Sequence, residues 1–230
     1  MLLNGNPLPW VDSLVHLGTR VTNKVDGCAQ DMKEKTARYV DKCVNLNQEF
    51  SFSHPRTKFT VNDIYNCHFY GFQVWNMFGA EFAKIESTYN KSIKIYGDLP
   101  FQTHRNLIEP ISELRHMKIR LIKNYLGFIQ EIKSSKRSIV KQLYLISSQD
   151  TRTTTGSNLR NILLLTDQSS IEDLLPSSAD TLVYKELAED EQWKVEFARE
   201  IIDMREDLSL APEGWDKEEL NFILSSICAD

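Results

Sequence analysis

The sequence is organised around TVNDIYNCHFYGFQVWNMF, which runs from Thr60 to Phe78. Large apolar residues fall on every side of a helix drawn through this stretch: Ile64, Tyr65, Phe69, Tyr70, Phe72, Val74, Trp75 and Phe78. A helix that is apolar on most sides is normally buried. Thr60 and Asp63 have the spacing of a capping pair, and the interior Gly71 costs only about 1 kcal/mol relative to alanine. The stretch therefore predicts a buried central helix with other helices packed around it.

The composition indicates a folded protein whose two parts carry opposite charge. Its 230 residues are 41% hydrophobic, which is enough for a core. Residues 1–160 contain 22 Lys/Arg and 14 Asp/Glu, a net charge of +8, whereas residues 161–230 contain 5 and 18, a net charge of −13. This asymmetry fits a basic body that contacts a polyanion beside an acidic tail, two parts that attract each other, or solubility alone.

The apolar pattern near the start of the chain predicts a short β-hairpin followed by a long helix. Apolar residues flank Gly18 within residues 9–22, and this glycine breaks any helical pattern, which favours a hairpin. Apolar residues at three- and four-residue spacing predict an amphipathic helix from Cys28 to Phe50. The segment Ser51–Lys58 is predicted as a loop, because the residue that precedes Pro55 avoids the helical region.

Three further helices are predicted from their apolar faces. The faces are formed by Phe82, Ile85, Tyr89, Ile93 and Tyr96, by Ile122, Tyr125, Leu126, Ile129 and Ile132, and by Ile139, Leu143 and Ile146. Arg120 and Lys123 are expected to project from the opposite side of the second helix. A short helix over Thr103–Leu114 is expected to be interrupted at Pro110, and Ser147–Asn158 is predicted as a polar loop.

The C-terminal part is predicted as an acidic helical tail. Thr166–Ser178 has the composition of a linker, or of a short helix that ends at Pro176, so a domain edge is expected near it. Two amphipathic helices follow, and Asp216 with Glu219 can cap the second. Their apolar residues are Trp193, Phe197, Ile201, Met204 and Leu208 in the first, and Leu220, Ile223, Leu224 and Ile227 in the second. Both helices need a partner surface, either the body of the protein or another chain.

The sequence carries no self-contained catalytic or metal-binding motif. Its four cysteines, Cys28, Cys43, Cys67 and Cys228, are widely spaced without a CxxC pair. The adjacent Cys67 and His68 would point about 100° apart on a helix, so free structural thiols are expected. The chain shows no signal-peptide pattern at its start and no apolar run of about 18 residues. These features predict an intracellular protein, in the cytoplasm or the nucleus, without a membrane partner.

Residues 113–160 form a strongly basic part of the chain. They contain ten Lys/Arg against three acidic residues. The basic residues are Arg115, Lys118, Arg120, Lys123, Lys133, Lys136, Arg137, Lys141, Arg152 and Arg160. A basic strip of this kind is suited to phosphate contact, in which each neutralised phosphate adds salt-dependent affinity. Solvated helix faces also collect lysines, so the charge alone leaves both interpretations open.

Several short motifs, taken in order, resemble the C-terminal part of reverse transcriptases from non-LTR (LINE-type) retrotransposons, the region that follows the catalytic palm. The opening LLNGNP, the phrase WVDS and the turn His16-Leu17-Gly18 resemble the primer-grip hairpin at the junction of palm and thumb. The later motifs are Tyr70-Gly71 with Trp75, similar to the thumb pattern Tyr-Gly-x-x-x-Trp, Thr103-His104 with Leu107 and Ile108, and Asp150 through Gly156 to Asn158-Leu159-Arg160. The similarity covers residues 2–175, and Leu220–Asp230 resembles the short closing helix of such proteins.

The resemblance implies a mainly α fold in three segments: a primer-grip-like hairpin remnant in residues 1–25, a helical thumb and post-thumb body in residues 26–166, and an acidic helical tail in residues 167–230. Such a body would hold an RNA–DNA or RNA duplex by charge and shape, with little sequence preference. The residues expected to contact nucleic acid are Leu17, Gly18, His104, Arg105, Arg115, Lys118, Arg120, Lys123, Lys136, Arg137 and Lys141.

The same resemblance implies a protein without polymerase activity. The family uses Mg²⁺ held by palm aspartates, and this sequence lacks their Asp-Asp motif, so neither catalysis nor a cofactor is expected. We expect a truncated piece of a retrotransposon polymerase that retains at most non-specific binding of nucleic acid. The alternative is a helical module kept by the host for contacts with other proteins, which the stripe beginning at Trp193 motivates. An independent enzyme, built from scattered histidines and cysteines, is a third possibility.

Overall fold

The fold is mainly α-helical, as the sequence predicts. The computed structural model describes residues 2–3, 6–7, 12–16, 19–22, 27–66, 69–182 and 192–228. These residues form nine α-helices, several short 3₁₀ and π-helical turns, and two small antiparallel strand pairs. None of the helices in this part of the chain is long and apolar enough to cross a membrane.

The strands precede all the helices in the chain. They are β1 Leu2–Leu3, β2 Asn6–Pro7, β3 Ser13–His16 and β4 Thr19–Thr22. The helices are α1 Gly27–Glu49, α2 Pro55–Val61, α3 Ala80–Tyr96, α4 Arg105–Ser112, α5 Met117–Ser134, α6 Ser138–Gln149, α7 Thr154–Thr166, α8 Gln192–Glu206 and α9 Lys217–Cys228. Strand β1 pairs with β2, and β3 pairs with β4 so that Ser13 lies opposite Thr22. The hairpin predicted within residues 9–22 is therefore confirmed.

Helices α1, α3 and α5 confirm the helices predicted from apolar periodicity. Each buries one stripe of side chains in the same core. The buried residues are Met32, Tyr39, Cys43 and Leu46 on α1, Phe82, Ile85, Tyr89, Ile93 and Tyr96 on α3, and Ile122, Tyr125, Leu126 and Ile129 on α5. Helix α3 ends at Gly97, whose backbone N–H donates to the Ile93 carbonyl. Local spacing was sufficient here because each helix places a regular stripe of apolar side chains in the core.

The central helix predicted from Thr60 to Phe78 is wrong. Helix α2 begins earlier, at Pro55, and passes into a π-helical turn over Asn62–Asn66. Residues 69–71 are non-helical, and a short 3₁₀ turn covers Phe72–Val74. The burial prediction holds in part: Phe69, Phe72, Trp75 and Met77 are buried, but Ile64, Tyr70 and Val74 are exposed. Cys67 and His68 lie outside the described residues.

Side chains from distant helices replace the helical hydrogen bonds of this segment. The fully buried Asn158 of α7 accepts from the Met77 backbone N–H at 3.1 Å and donates to the Trp75 carbonyl at 2.7 Å. The indole N–H of Trp75 donates to Asp31 of α1 at 2.8 Å. Because these partners satisfy the buried backbone and indole groups, the segment does not need to be helical to be buried.

Two predicted loops are partly helical because a side chain caps each helix start. Pro55 is the first residue of α2, where its missing N–H is harmless, and His54 accepts from the Arg56 N–H. The predicted loop Ser51–Lys58 therefore ends at His54. Between α6 and α7 only four residues, 150–153, are non-helical. Thr153 accepts there from the Gly156 N–H at 3.0 Å and starts α7, so the predicted loop Ser147–Asn158 is mostly helix.

Two proline-based predictions also fail. Helix α4 continues through Pro110 to Ser112, because the missing proline N–H removes a bond close to the point where the helix ends. The segment Thr166–Ser178 is packed onto the body instead of forming a linker. Its residue Leu174 is buried, and Pro176 begins a 3₁₀ turn instead of ending a helix.

The helices α6 and α8 form where apolar spacing predicts them, but they bury other faces. On α6 the side chains of Ile139, Leu143 and Ile146 are 61% to 68% exposed, and the buried residues are Tyr144 and Ser148. On α8 the buried residues are Val195, Ala198, Ile201, Ile202 and Arg205, whereas Trp193 is exposed. Apolar spacing identifies a helix, but the choice of buried face depends on the neighbour that packs against it.

The C-terminal helices pack on the body through a second hydrophobic core. This core joins α8 and α9 to α4 and to Leu99, the residue that follows the end of α3. Its body residues are Leu99, Leu107 and Ile111, and its tail residues include Ile201, Leu220 and Leu224. Asp216 accepts from the Glu218 and Glu219 N–H groups, and Glu219 accepts from the Asp216 N–H, which confirms the predicted cap of α9.

A first prediction concerns Gly71, which has a φ of +79°. A Cβ at this position would lie 1.9 Å from the Thr19 Oγ1 atom of β4. We expect Gly71→Ala to lower the free energy of unfolding by about 2 kcal/mol or more, as measured by urea denaturation. Gly127→Ala on α5 is the matched control, because its Cβ would meet nothing within 4 Å. The control is expected to gain up to about 1 kcal/mol, and equal effects would contradict the explanation.

A second prediction concerns Asp31, which is only 1% exposed. Its carboxylate binds the Lys35 ammonium at 3.1 Å as well as Trp75. Asp31→Ala leaves a buried lysine unpaired and should cost about 3–5 kcal/mol of unfolding free energy. The double variant Asp31→Leu/Lys35→Met should recover only part of that loss, because it removes both charges together but leaves the Trp75 indole N–H and the Arg20 N–H without their acceptor. A double variant no more stable than Asp31→Ala would show that the charge is not the main cause.

Candidate nucleic-acid interface

The cations predicted to contact nucleic acid divide into those held by internal acids and those left free. Arg115 and Lys123, near the start and middle of α5, converge on Asp180 of the 3₁₀ turn that follows Pro176. Arg115 lies 2.5 Å and Lys123 2.8 Å from a carboxylate oxygen of Asp180. Hydrogen bonds from Lys123 and Arg115 lower the pKa of Asp180. Both cations are thus partly neutralised within the protein.

A second group, which we call the Glu86 cluster, contains Glu86, Arg105, Glu109, His116 and Lys118. The Arg105 guanidinium donates to the buried Glu86 at 2.6 Å and lies 2.9 Å from His116 Nε2. His116 donates its backbone N–H to Glu109 at 2.6 Å and accepts at Nδ1 from the Lys118 N–H at 3.2 Å. The cluster joins α3, α4 and α5, so Arg105 has a structural partner.

Burial dominates the electrostatics of the Glu86 cluster. Burial, together with the charges of Arg105 and Lys118, lowers the pKa of His116 to about 3, so the imidazole is neutral at pH 7. Burial also raises the pKa of Glu109 and lowers the pKa of Lys118. The Lys118 ammonium lies over the ring of Phe78, 4.5 Å from its centroid. These groups stabilise the body and are only partly available to a ligand.

Arg120 does not project freely from α5 as predicted. It forms an ion pair with Asp63, which lies in the π-helical turn after α2. Burial lowers the pKa of Arg120. The prediction fails because the second face of α5 is also covered, by a segment that was expected to be part of a single central helix.

Three of the cations predicted to contact nucleic acid have no acidic partner among the described residues, and all three lie at the start of α6. We define the α6 patch as Lys136, Arg137 and Lys141. All three are exposed, and within the described residues none forms an ion pair. Helix α6 itself contains no acidic residue. The α6 patch is therefore the part of the predicted interface that remains free to bind phosphate.

The remaining predicted contacts lie elsewhere. Leu17 and Gly18 lie outside the described residues. His104 is exposed at the start of α4, and its backbone N–H donates to the Cys228 carbonyl at 3.3 Å. It lies at the junction of body and tail. The structure thus does not bring the predicted residues together on one surface, because the elements that carry them face different neighbours.

The sequence interpretation missed an exposed apolar face on α6 and α7. Side chains of α6 and α7 between 52% and 75% exposed form it: Ile139, Leu143, Leu145, Ile146, Leu164 and Leu165. Exposed apolar surfaces of this extent often mark contacts with other molecules. The sequence shows an apolar stripe on α6, but that stripe predicts only a helix and does not indicate which of its faces is exposed.

No candidate metal centre is found in the part of the chain that the structure describes. No group of three or more His, Cys, Asp or Glu side chains there has the geometry to hold an ion. Cys28, Cys43 and Cys228 carry free thiols, as predicted for those three cysteines. Burial raises the pKa of the Cys228 thiol, which keeps it protonated.

A third prediction follows from the lowered pKa of His116. The unfolded histidine, with its ordinary pKa of 6.5, takes up a proton below that pH, whereas the folded group resists protonation until about pH 3. Stability should therefore fall as the pH decreases through 6.5, by about 2 kcal/mol between pH 7 and pH 5. His116→Asn keeps a capping oxygen and should remove this loss in urea denaturation. His104→Asn, at an exposed helix start, should leave the loss unchanged.

No protein-family model matches this chain, and no curated protein or solved structure matches it either.

Proposed function

We propose that this protein is a non-catalytic helical module of reverse-transcriptase descent that binds the phosphate backbone of RNA–DNA or RNA duplexes with little sequence preference. The observation that carries the proposal is the α6 patch: three exposed cations without an acidic partner among the described residues, on a helix that contains no acid. Arg137 is the N-cap of α6 and Lys141 lies in the first turn, so both cations are at the same end of the helix, where they can reach a phosphate backbone.

The internal ion pairs support a narrow interface. Arg105, Arg115, Arg120 and Lys123 are held by Glu86, Asp63 and Asp180. These cations could bind phosphate only if their ion pairs broke. An interface that extended over them would therefore be less favourable than one limited to the α6 patch. A contact of two or three phosphates gives weak binding with a modest salt dependence.

A fourth prediction tests this proposal by fluorescence anisotropy with a labelled RNA–DNA hybrid. The logarithm of affinity should fall with the logarithm of salt concentration with a slope of about −2 to −3, as expected for two or three phosphates. The triple variant Lys136→Glu/Arg137→Glu/Lys141→Glu should lose this salt-dependent binding. Lys33→Glu/Arg38→Glu/Lys42→Glu changes three exposed cations of α1 by the same charge and should retain it.

A second candidate function is a module for contacts with other proteins, which the exposed apolar face of α6 and α7 favours. The same experiment separates the two candidates. Wild-type protein that shows no salt-sensitive binding, or equal losses in both triple variants, would contradict nucleic-acid binding at the α6 patch. The apolar face would then be the main exposed feature without a role, and protein contact would be the better proposal.

A further inference from the structure

A cationic cleft lies at the junction of the body and the C-terminal helices, away from the α6 patch. Its volume is about 640 Å³, and it opens between the end of α3, the turn that follows it, and helices α8 and α9. Three cations line it, Lys91, Lys94 and Arg205, with Asp98 as the one acid among its described lining residues. The cleft therefore carries excess positive charge in a concave site of ligand-binding size.

Arg205 is the most buried of these three cations. Its side chain is 7% exposed and donates to the Gly97 carbonyl at 2.7 Å, the Asp98 carbonyl at 2.9 Å and the Asn221 side-chain oxygen at 2.9 Å. None of these partners is a carboxylate, and its Nε has no hydrogen-bond partner within the described residues. The Gly97 and Asp98 carbonyls are neutral, so they offset the Arg205 charge only in part. Buried guanidinium groups are normally paired with an anion.

Lys94 and Lys91 add further charge, and neither forms an ion pair with an acid in the part of the chain that the structure describes. The Lys94 ammonium donates to the Phe101 carbonyl at 2.7 Å and lies 5.6 Å from the centroid of the Phe101 ring. Burial lowers the pKa of Lys94, and the charge of Lys91 lowers it further. A bound anion would offset the cost of burying the Lys94 charge and would reduce the repulsion between Lys94 and Lys91. Phe101 is 75% exposed and forms one side of the entrance.

An apolar groove adjoins the cleft. It has a volume of about 350 Å³ and lies between α1 and α3, and it shares Asn47, Lys91 and Ile95 with the cleft. Val40, Val44 and Ile95 line it and are 41%, 51% and 57% exposed. A charged site and an apolar groove that share lining residues match a molecule with a charged head and an apolar tail.

We propose that the cleft and groove together bind a single-chain anionic amphiphile. Its carboxylate or phosphate lies at Lys91, Lys94 and Arg205, where Asn47 and Asn221 can donate additional hydrogen bonds. Its alkyl chain lies between α1 and α3 against Val40, Val44 and Ile95. The site is separate from the α6 patch, so this inference goes beyond the proposed nucleic-acid function.

The experiment is isothermal titration calorimetry of the full chain with decyl phosphate, below its micelle-forming concentration. Two partial ligands are compared with it: 1-decanol, which lacks the anion, and inorganic phosphate, which lacks the chain. Decyl phosphate is expected to bind with a stoichiometry of one and at least about tenfold more tightly than either partial ligand. Equal affinity for decanol, or no binding of decyl phosphate, would overturn the proposal.

Variants locate the binding within the cleft. Lys91→Gln/Lys94→Gln should weaken decyl phosphate by about tenfold or more and leave decanol unchanged. Lys91→Gln alone, at an exposed position, should show the same direction if the double variant does not fold. The matched control Lys33→Gln/Lys84→Gln removes two exposed charges outside both cavities and should bind as the wild type. An equal loss in the control would contradict the proposed site.

The source of the amphiphile is tested with phosphatidylcholine vesicles that contain lysophosphatidic acid, a single-chain lipid with a phosphate headgroup. Binding of monomeric decyl phosphate together with extraction of the lipid into solution supports a lipid headgroup as one source of the anion. Binding to intact vesicles without binding of monomeric decyl phosphate would overturn the proposal, because it would indicate a membrane surface contact. Lys91→Gln/Lys94→Gln should leave binding of the RNA–DNA hybrid at the α6 patch unchanged. The amphiphile proposal and the nucleic-acid proposal can therefore fail independently.

Discussion

The buried carboxylate of Asp31 is the constraint on which the N-terminal half of the structure depends. It joins α1 to two other parts of the chain: it accepts from the Arg20 backbone N–H of β4 at 2.9 Å and from the Trp75 indole N–H at 2.8 Å. On α1 itself it pairs with the Lys35 ammonium at 3.1 Å. A carboxylate that is 1% exposed is unfavourable without such partners. Because all of them must be present together, the hairpin, α1 and the segment around Trp75 take up one arrangement.

This arrangement explains why the most apolar segment of the chain is buried without being a regular helix. Gly71 takes a positive φ against Thr19 of β4, and Trp75 and Met77 are fully buried beyond it. Asn158 then holds the backbone of both residues through its amide. Asp31 of α1 and Asn158 of α7 therefore both hold the segment. Its backbone groups hydrogen-bond to the Asn158 side chain instead of to one another in a helix.

Internal ion pairs divide the cations of the basic body into those held by an acid and those available to a ligand. Asp63 and Asp180, from segments that surround α5, bind cations that appear available when only the α5 sequence is considered. Helices α8 and α9 of the acidic tail pack on α4 and on Leu99, and among the described residues no acid of the tail forms an ion pair with α6. Of the cations predicted to contact nucleic acid, those of the α6 patch stay without an acidic partner among the described residues, and a separate cationic cleft lies beside Arg205. The two places differ in character, since the first is open and the second is concave.

Apolar periodicity by itself determined the mainly α fold, the early hairpin, the positions of α1, α3 and α5, and the capped start of α9. These features follow from spacing and capping within a few residues, which the local sequence contains in full. For the candidate site, the sequence identified the basic region and included the α6 patch, but it could not separate free cations from paired ones. Only the tertiary structure decided the path of residues 69–79, the buried faces of α6 and α8, and the acids that hold the α5 cations. The deciding contacts join residues 44, 57 and 81 positions apart, Asp31 to Trp75, Lys123 to Asp180 and Met77 to Asn158, and no local pattern encodes such pairs.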